Sequence, residues 1–364
     1  MPVPSRRAAT GLGLAAGLAL DALLADPRRS HPVAMFGTVA GALERAVHKD
    51  SRAVGAVYAV GLVGAAGLVG AGASRAAARS RWSAVTTTAV ATWAVVGGTT
   101  LRREAAAMHA LLAAGDLDGG RARLSHLCGR DPSGLDVAGL ARAAVESVAE
   151  NTSDAVVAPM FWGAVAGVPG LVAYRAVNTL DAMVGHRSDR HLRFGWAAAR
   201  LDDVANLVPA RLTAGLTVAL APVIGGRPQA AWRAWRRDGR KHPSPNAGPV
   251  EAAFAGALGR TLGGRLAYAG RVEDRPLLGN GPAPDVEDLR RAARLSGTVT
   301  LAAGALAAGA LAARAVAVGA LAAGALVAGA LAAGALVAGP QAVRAMTAVL
   351  LTDHVPAVGA RAVR

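Results

Sequence analysis

Polar and apolar positions along this chain separate into long blocks, without the short alternations of a soluble fold. Apolar runs with few charges, each near the ~20 residues needed to cross a bilayer, occupy residues 8–25, 53–73, 83–101, 155–174 and 204–226. A sixth apolar stretch runs from 295 to 339. Polar stretches at 26–52, 102–154, 175–203 and 227–294 separate them. The pattern predicts an all-α, polytopic integral membrane protein whose polar, helical loops form the active site. The first run follows Arg6 and Arg7 in the manner of a signal peptide, but Asp21 interrupts it and no A-x-A site follows, so an uncleaved anchor is expected.

The sixth stretch divides the chain into a membrane domain, 1–294, and a low-complexity C-terminal region of one or more membrane segments and a short tail, 295–364. Glycine recurs there every five residues, at Gly304, Gly309 and again from Gly319 to Gly339. Five residues turn a helix through roughly 500°, so these glycines wander around it and form no association stripe. As one helix the stretch would measure about 66 Å, twice a bilayer core. Arg314 is therefore expected at a surface between two spans.

Composition supports the membrane reading: 53% of the 364 residues are hydrophobic and only 17% charged. The net charge of +15 is carried almost wholly by arginine, lysine occurring only at Lys49 and Lys241. No motif reads nucleic acid, and a basic membrane protein places such charge in cytoplasmic loops. Every polar stretch is basic, however, so charge alone orients the chain weakly; 227–294, with 13 Lys/Arg, is the best cytoplasmic candidate. The single cysteine, Cys128, excludes an intramolecular disulfide. "GLGLAAG" at 11–17 misses a dinucleotide fingerprint by one residue and reads as small-residue helix packing.

The first candidate chemistry lies in "AVESVAENTSDAVVAP". Glu146, Glu150 and Asp154 are spaced by four, a single stripe on a helix, with Asn151 beside them. Like charges at that spacing repel. A solvated helix face is one reading, with Arg142 pairing Glu146. Acids abutting an apolar segment favour another, in which carboxylates share Mg²⁺ with substrate phosphates. "YRAVNTLDAMVGHRSDRHLRFG" sets Arg175, Asn178 and Asp181 on one polar face, either a buried Arg–Asp pair or part of a site. "AARLDDVANLVPARL" brings Asp202, Asp203, Asn206 and Arg211 into an apolar helix interrupted by Pro209; Arg211 there needs an acid or a phosphate. "KHPSPNAGPVEAAFAG" offers His242, Ser244, Asn246 and Glu251 on a loop that caps a helix. "ADPRRSHP" adds His31 before a proline. His109 and His126 read as structural, and no histidine pattern suits zinc.

Together these stretches resemble the motif set of adenosylcobinamide-phosphate synthase, the cobalamin-biosynthesis membrane protein of the CobD/CbiB type. "DPRRSHPV", "ESVAENTSDAVVAPMFW", "YRAVNTLDAMVGHRS", "FGWAAARLDDVANLVPARLTA" and "HPSPNAGPVEAAFAGALG" occur in order from about Asp21 to Leu278. The Ala/Gly-rich C-terminal region departs from that pattern. The resemblance implies a carbon–nitrogen ligase in the cell membrane, its site facing the cytoplasm, with ATP and Mg²⁺ as cofactors. It would join (R)-1-amino-2-propanol, or its O-phosphate, to the propionate of (adenosyl)cobyric acid. Implied catalytic residues are Glu146, Glu150, Asn151, Asp154, Asn178, Asp181, Asp203 and His242, with Glu146, Glu150 and Asp154 on the metal. His31, Arg175, Arg211, Ser244, Asn246 and Glu251 would bind substrate and phosphate. Partners are the corrinoid, the amine and membrane lipid, without nucleic acid, and a homo-oligomer is allowed. A different Mg²⁺-dependent membrane transferase and a transporter with an Asp21–Arg211–Asp203 ion path are the alternatives.

The same motifs raise a difficulty of parity. If all five early runs cross the membrane, Asn178 and Asp181 lie opposite His31, Glu150 and His242. One site cannot draw on both faces. One or both of residues 155–174 and 204–226 are therefore expected to be re-entrant or broken, aided by Pro159, Pro169 and Pro209.

Overall fold

The computed structural model describes residues 6–26, 31–268 and 271–313; the expected spans beyond 313 and the turn at Arg314 lie outside the described residues. Thirteen helices and one strand pair are described. They begin with α1 (Arg6–Leu24), α2 (Pro32–Val47), α3 (Arg52–Ala77), α4 (Arg81–Val95) and α5 (Gly98–Ala113). Then come α6 (Leu117–Leu124), α7 (Val137–Thr152), α8 (Ala158–Leu180), α9 (Trp196–Ala205) and α10 (Leu207–Leu220). The chain continues through α11 (Pro228–Asp238), α12 (Ala247–Leu258), β1 (Thr261–Tyr268), β2 (Arg271–Gly279) and α13 (Val286–Ala313). Helix starts follow ordinary capping chemistry: Asp136 accepts from Gly139 N at 2.8 Å to open α7, and Ser51 caps α3. The antiparallel pair β1–β2 is the one departure from all-α among the described residues.

Among the described residues six helical stretches are long and apolar enough to cross a membrane. α3 alone is about 39 Å long, and its Val57, Val60, Leu68 and Val69 side chains are 58–76% exposed. Val90 on α4 and Leu301 on α13 are likewise bare. Apolar faces this extensive suit lipid, and the chain is a multi-pass membrane protein. Glycines set the helix contacts within this layer. A Cβ on Gly13 would lie 2.5 Å from the Thr88 Cβ, and one on Gly17 would lie 2.3 Å from the Thr92 Cβ. So α1 and α4 run parallel at close approach, the packing role expected of "GLGLAAG". α13 runs antiparallel to α1, with Gly304 against Leu18 and Gly11 against Ala308.

The stretch from Val137 to Gly185 is continuous helix by hydrogen bonding, yet it does not cross in one line. At Gly167 the backbone takes φ 65°, ψ −150°, a conformation open to glycine, and Pro169 follows without an N–H to give. A Cβ on Gly170 would meet the Trp162 carbonyl oxygen at 2.3 Å, and one on Gly163 would touch Leu171. Residues eight apart in an unbroken helix stand about 12 Å apart. Tyr174 also donates its hydroxyl to the Asp154 carbonyl at 3.2 Å, across twenty residues of sequence. α8 is therefore a helical hairpin whose two ends lie at one level. Each end is marked by a π-helical turn, Ser153–Val157 and Asp181–Gly185.

The apolar run at 204–226 is also broken, as the parity argument allows, but not as a hairpin. It breaks at Asn206 into α9 and α10, and α10 packs against α11 and α12 in a protein core. That core holds Leu101, Met108, Leu140, Phe254, Leu262 and Leu295. Arg291, near the start of α13, donates to the carbonyls of Ile224 and Leu258 at 3.3 and 3.0 Å. The end of α10 thus lies by the opposite end of α13 from the contacts with α1. Despite its hydropathy, α10 leads away from the lipid-facing layer. α12, which is buried along its whole length, forms the centre of this second layer.

Candidate active site

Folding α8 back on itself returns the chain after Asp154 to the level it left. Glu150 and Asn151 sit on the last turn of α7, Asp154 on the first π-helical turn, Arg175 and Asn178 at the end of α8, and Asp181 on the second π turn. A π turn inserts an extra residue into the helix and re-aims what it carries. Asp154 consequently feels Asp202, Glu150 and Asp181 as like charges and Arg175 as the opposing one. Asp181 in turn feels Asp202, Asp203 and Glu150. Glu150 is exposed and Asp154 half-buried, although protein surrounds both at longer range. That combination describes the wall of a cleft.

Glu146, expected among the metal ligands, is placed otherwise. It is only 4% exposed; Arg130 donates to Oε2 at 2.7 Å and the Gly263 N–H donates to Oε1 at 2.7 Å. Both oxygens are taken, and the partner is Arg130, from a loop sixteen residues earlier in the chain. The Gly263 N–H is free to reach Glu146 because β1 bulges there, at φ 85°. Among the described residues no three His, Cys, Asp or Glu side chains converge as a metal cage.

Above Glu146 lies a second tier. Glu251, on α12, is 3% exposed. Burial first, then the charges of Glu146 and Glu150, push its carboxyl well above the usual range, against the pull of Arg275 and Arg130. The His242 ring sits between the Ser244 peptide, whose N–H lies 3.0 Å from Nδ1, and Arg275, whose Nη1 lies 3.0 Å from Nε2. Burial and then Arg275 lower its pKa to about 4, so the ring is neutral near pH 7. Arg275 in turn faces Glu150.

On the other wall, Asp202 receives Asn206 Nδ2 on its Oδ2 at 3.0 Å. Asn206 is held by the Tyr174 hydroxyl at 2.9 Å. Burial raises the Asp202 pKa to about 6, assisted by Glu150 and Asp203 and opposed by hydrogen bonds from Asn206 and Asn178. Asp203 pairs with Arg200 at 3.1 Å, and its carbonyl accepts from Asn246 Nδ2 at 2.8 Å. Asn246 Oδ1 accepts from Arg211 Nη1 at 2.9 Å, while Ser244 Oγ caps α12 through the Asn246 and Ala247 N–H groups. Asn151 is turned back onto Ser147, at 2.9 Å from its carbonyl.

His31 caps α2 through Nδ1, and its Nε2 lies 3.7 Å from Asp26. Asp26 joins this corner to the cleft by its charge on Arg175. Asp21, once a possible ion-path residue, instead caps α5, accepting from Thr99 N and Oγ1 at 3.0 and 2.9 Å. His109 and His126 make surface pairs with Glu287 and Glu104, the structural role expected of them. Sequence reasoning singled out most of the cleft but missed Arg130 and Arg275, which stand in stretches without a motif, and passed over Asp202 in favour of its neighbour. The doubled acid in "RLDDVAN" was the available signal.

Residues 14–296 match the family described as CobD/Cbib protein. The chain is 55% identical over 295 residues to the cobalamin biosynthesis protein CobD of Mycobacterium tuberculosis (strain H37Rv), covering 81% of this chain and 94% of that protein. It is 43% identical over 293 residues to the protein of that name from Chromobacterium violaceum, covering 79% and 92%. A corresponding protein of Rhodobacter capsulatus is 44% identical over 291 residues, covering 79% and 90%. No solved structure matches.

Proposed function

The chain belongs to the CobD/Cbib family, and from that premise and the chemistry of the cleft we propose that it acts in cobalamin biosynthesis as an ATP-dependent amide synthase. It joins an amino alcohol or its phosphate to a propionate of a cobyric-acid corrinoid. Convergence carries this reading: acids and cations from α7, the π turns and end of α8, α9 and α12 stand within reach of one another's charge.

A carboxylate does not react with an amine unaided, because oxide is a poor leaving group. Phosphorylation by ATP makes the acyl oxygen part of a phosphate leaving group, which the amine displaces. Two cleft carboxylates, Glu150 and Asp154, fit Mg²⁺, which commonly binds one or two carboxylates together with substrate phosphates. Bound there, the ion would neutralise phosphoryl oxygens during transfer. Glu146, with both oxygens engaged, holds the Arg130 side of the wall. Arg175 and Arg275 supply positive charge against the phosphates and keep the acids from repelling them. His242, neutral and weakly basic, positions Arg275. Asp202 is the group that takes the proton released by the attacking amine, being ionised at neutral pH yet more basic than a free carboxylate. The site faces the cytoplasm of the cell membrane, where ATP is found.

Purified full-length protein should release ADP only when a corrinoid acid and an amine are both present, and should yield the amide. Glu150→Gln should abolish the product without loss of folded protein. ATP turnover that ignores both substrates, or a fully active Glu150→Gln, would remove the reading.

A further inference from the structure

At the end of the lipid-facing layer opposite the cleft, the chain encloses a groove of about 520 Å³. Its walls are the start of α1, the turn from α3 into α4 and the hairpin tip of α8. Arg79 and Arg81 line it, with Thr10, Ser74 and Ser80 beside them, and Arg75 stands exposed four residues before Arg79. The segments that build this end, residues 1–20, 51–103, 155–180 and 289–313, contain no Asp or Glu. Among the described residues no carboxylate therefore pairs with Arg75 or Arg79. With the cleft facing the cytoplasm, this short turn lies on the far side of the membrane, where arginine and lysine are ordinarily scarce. Cations gathered there without an acid call for an anion from outside the chain. The groove is also flanked by bare apolar side chains. Trp82 follows Arg81 and is 69% exposed, Val165 precedes the groove wall at Ala166, and Leu68 and Val69 lie two turns back along α3 from Arg75. An exposed tryptophan at the end of a span marks the depth of the lipid headgroups.

We propose that this groove holds the phosphate headgroup of an anionic phospholipid from the outer leaflet, with its acyl chains on the apolar side chains that flank the groove. Guanidiniums offer paired N–H donors that match phosphate oxygens, and basic pockets between spans suit such headgroups. The volume is that of a small-molecule site, in the range of about 300–1,000 Å³. Two features select the ligand. A free phosphate would use the arginines but leave Trp82, Val165 and Leu68 without a partner. A zwitterionic headgroup brings a cation of its own, for which this end of the chain offers no acid. A net-negative headgroup on an apolar tail satisfies both. The site is independent of the chemistry in the cleft and differs from the general contact that every span makes with lipid, because it selects by charge.

The test is lipid binding by the full-length protein in neutral detergent, followed by native mass spectrometry with dioleoyl phosphatidylglycerol and dioleoyl phosphatidylcholine as probes. The wild-type chain should prefer phosphatidylglycerol by about tenfold or more, the effect of at least one charge-assisted hydrogen bond. Arg75→Gln combined with Arg79→Gln should erase that preference and leave binding of phosphatidylcholine unchanged. Arg233→Gln combined with Arg236→Gln, on the exposed face of α11, is the charge-matched control and should keep the preference. Ala78→Trp fills the groove with every arginine retained and should erase it as well; this variant decides the matter if the double arginine variant fails to accumulate. Equal binding of the two lipids by the wild-type chain, a preference that survives in a groove variant, or an equal loss in the α11 control overturns the proposal. Displacement of phosphatidylglycerol by inorganic phosphate would make the groove a site for a free anion and overturn the lipid assignment.

Discussion

Glu146 and Glu150 stand one helical turn apart on α7 and meet different surroundings. Glu146 is sealed against Arg130 and a peptide N–H, whereas Glu150 opens to the cleft. The four-residue spacing showed in the sequence, but it could not separate these two. Their difference depends on Arg130 and on a bulged strand, which no local pattern connects to α7. Nor did the spacing anticipate the π turn, because a helix that gains a residue keeps the same apolar composition. Asp202 gives the sharpest residue-scale prediction. Its carboxyl must be ionised to accept a proton, and its pKa is raised to about 6. The amide-forming step should therefore rise with pH, about tenfold per unit below that value, and level off above it. Asp202→Asn should lower the rate by about 10²-fold or more and abolish this acid limb, while formation of the activated acyl phosphate, trapped with hydroxylamine, continues. Loss of the trapped product as well would move Asp202 from proton transfer to the phosphoryl step.

Among the elements, the α8 hairpin decides where the chemistry gathers. Its apolar run was plain in the sequence, and its proline suggested a break. What hydropathy cannot carry is direction, because an arm that turns back is as apolar as one that continues. Gly167 is the residue that turns it, at φ 65°. Gly167→Val forces a β-branched side chain into a left-handed conformation, at a cost of about 1–3 kcal/mol. Because Asp154 and Asp181 lie at the two ends of the hairpin, activity should fall further than thermal stability alone accounts for. Gly61 on α3, where an added Cβ meets nothing, is the matched control, and Gly61→Ala should leave both unchanged. Equal behaviour of the two variants would show that the turn does not position the acids. α10 carries the complementary lesson. It reads as a span by composition, but its apolar face meets α11 and α12 instead of lipid, a distinction set by tertiary partners.

Across the whole molecule, the returning hairpin and the inward turn of α10 resolve the parity conflict. The polar stretches 26–52, 102–154, 175–203 and 227–294 all come to one end of the lipid-facing layer. The loop after Asp181 is tied there by Arg190 to Glu44 and by the Phe194 carbonyl packed on Gly55, at the start of α3. The opposite end holds the start of α1, the α3–α4 turn at Ser80 and the hairpin tip at Gly167, gathered around one groove. Because nearly all the basic loops share a face, the charge bias that orients the chain becomes strong, where loop-by-loop counting found it weak. The most direct test places single cysteines at Ser188 and Ser80 in a Cys128→Ser background, in intact cells. With the site facing the cytoplasm, an impermeant thiol reagent should label the Ser80 position and reach Ser188 only after the membrane is opened. Ready labelling of Ser188 from outside would contradict a single cytoplasmic site assembled from all four stretches.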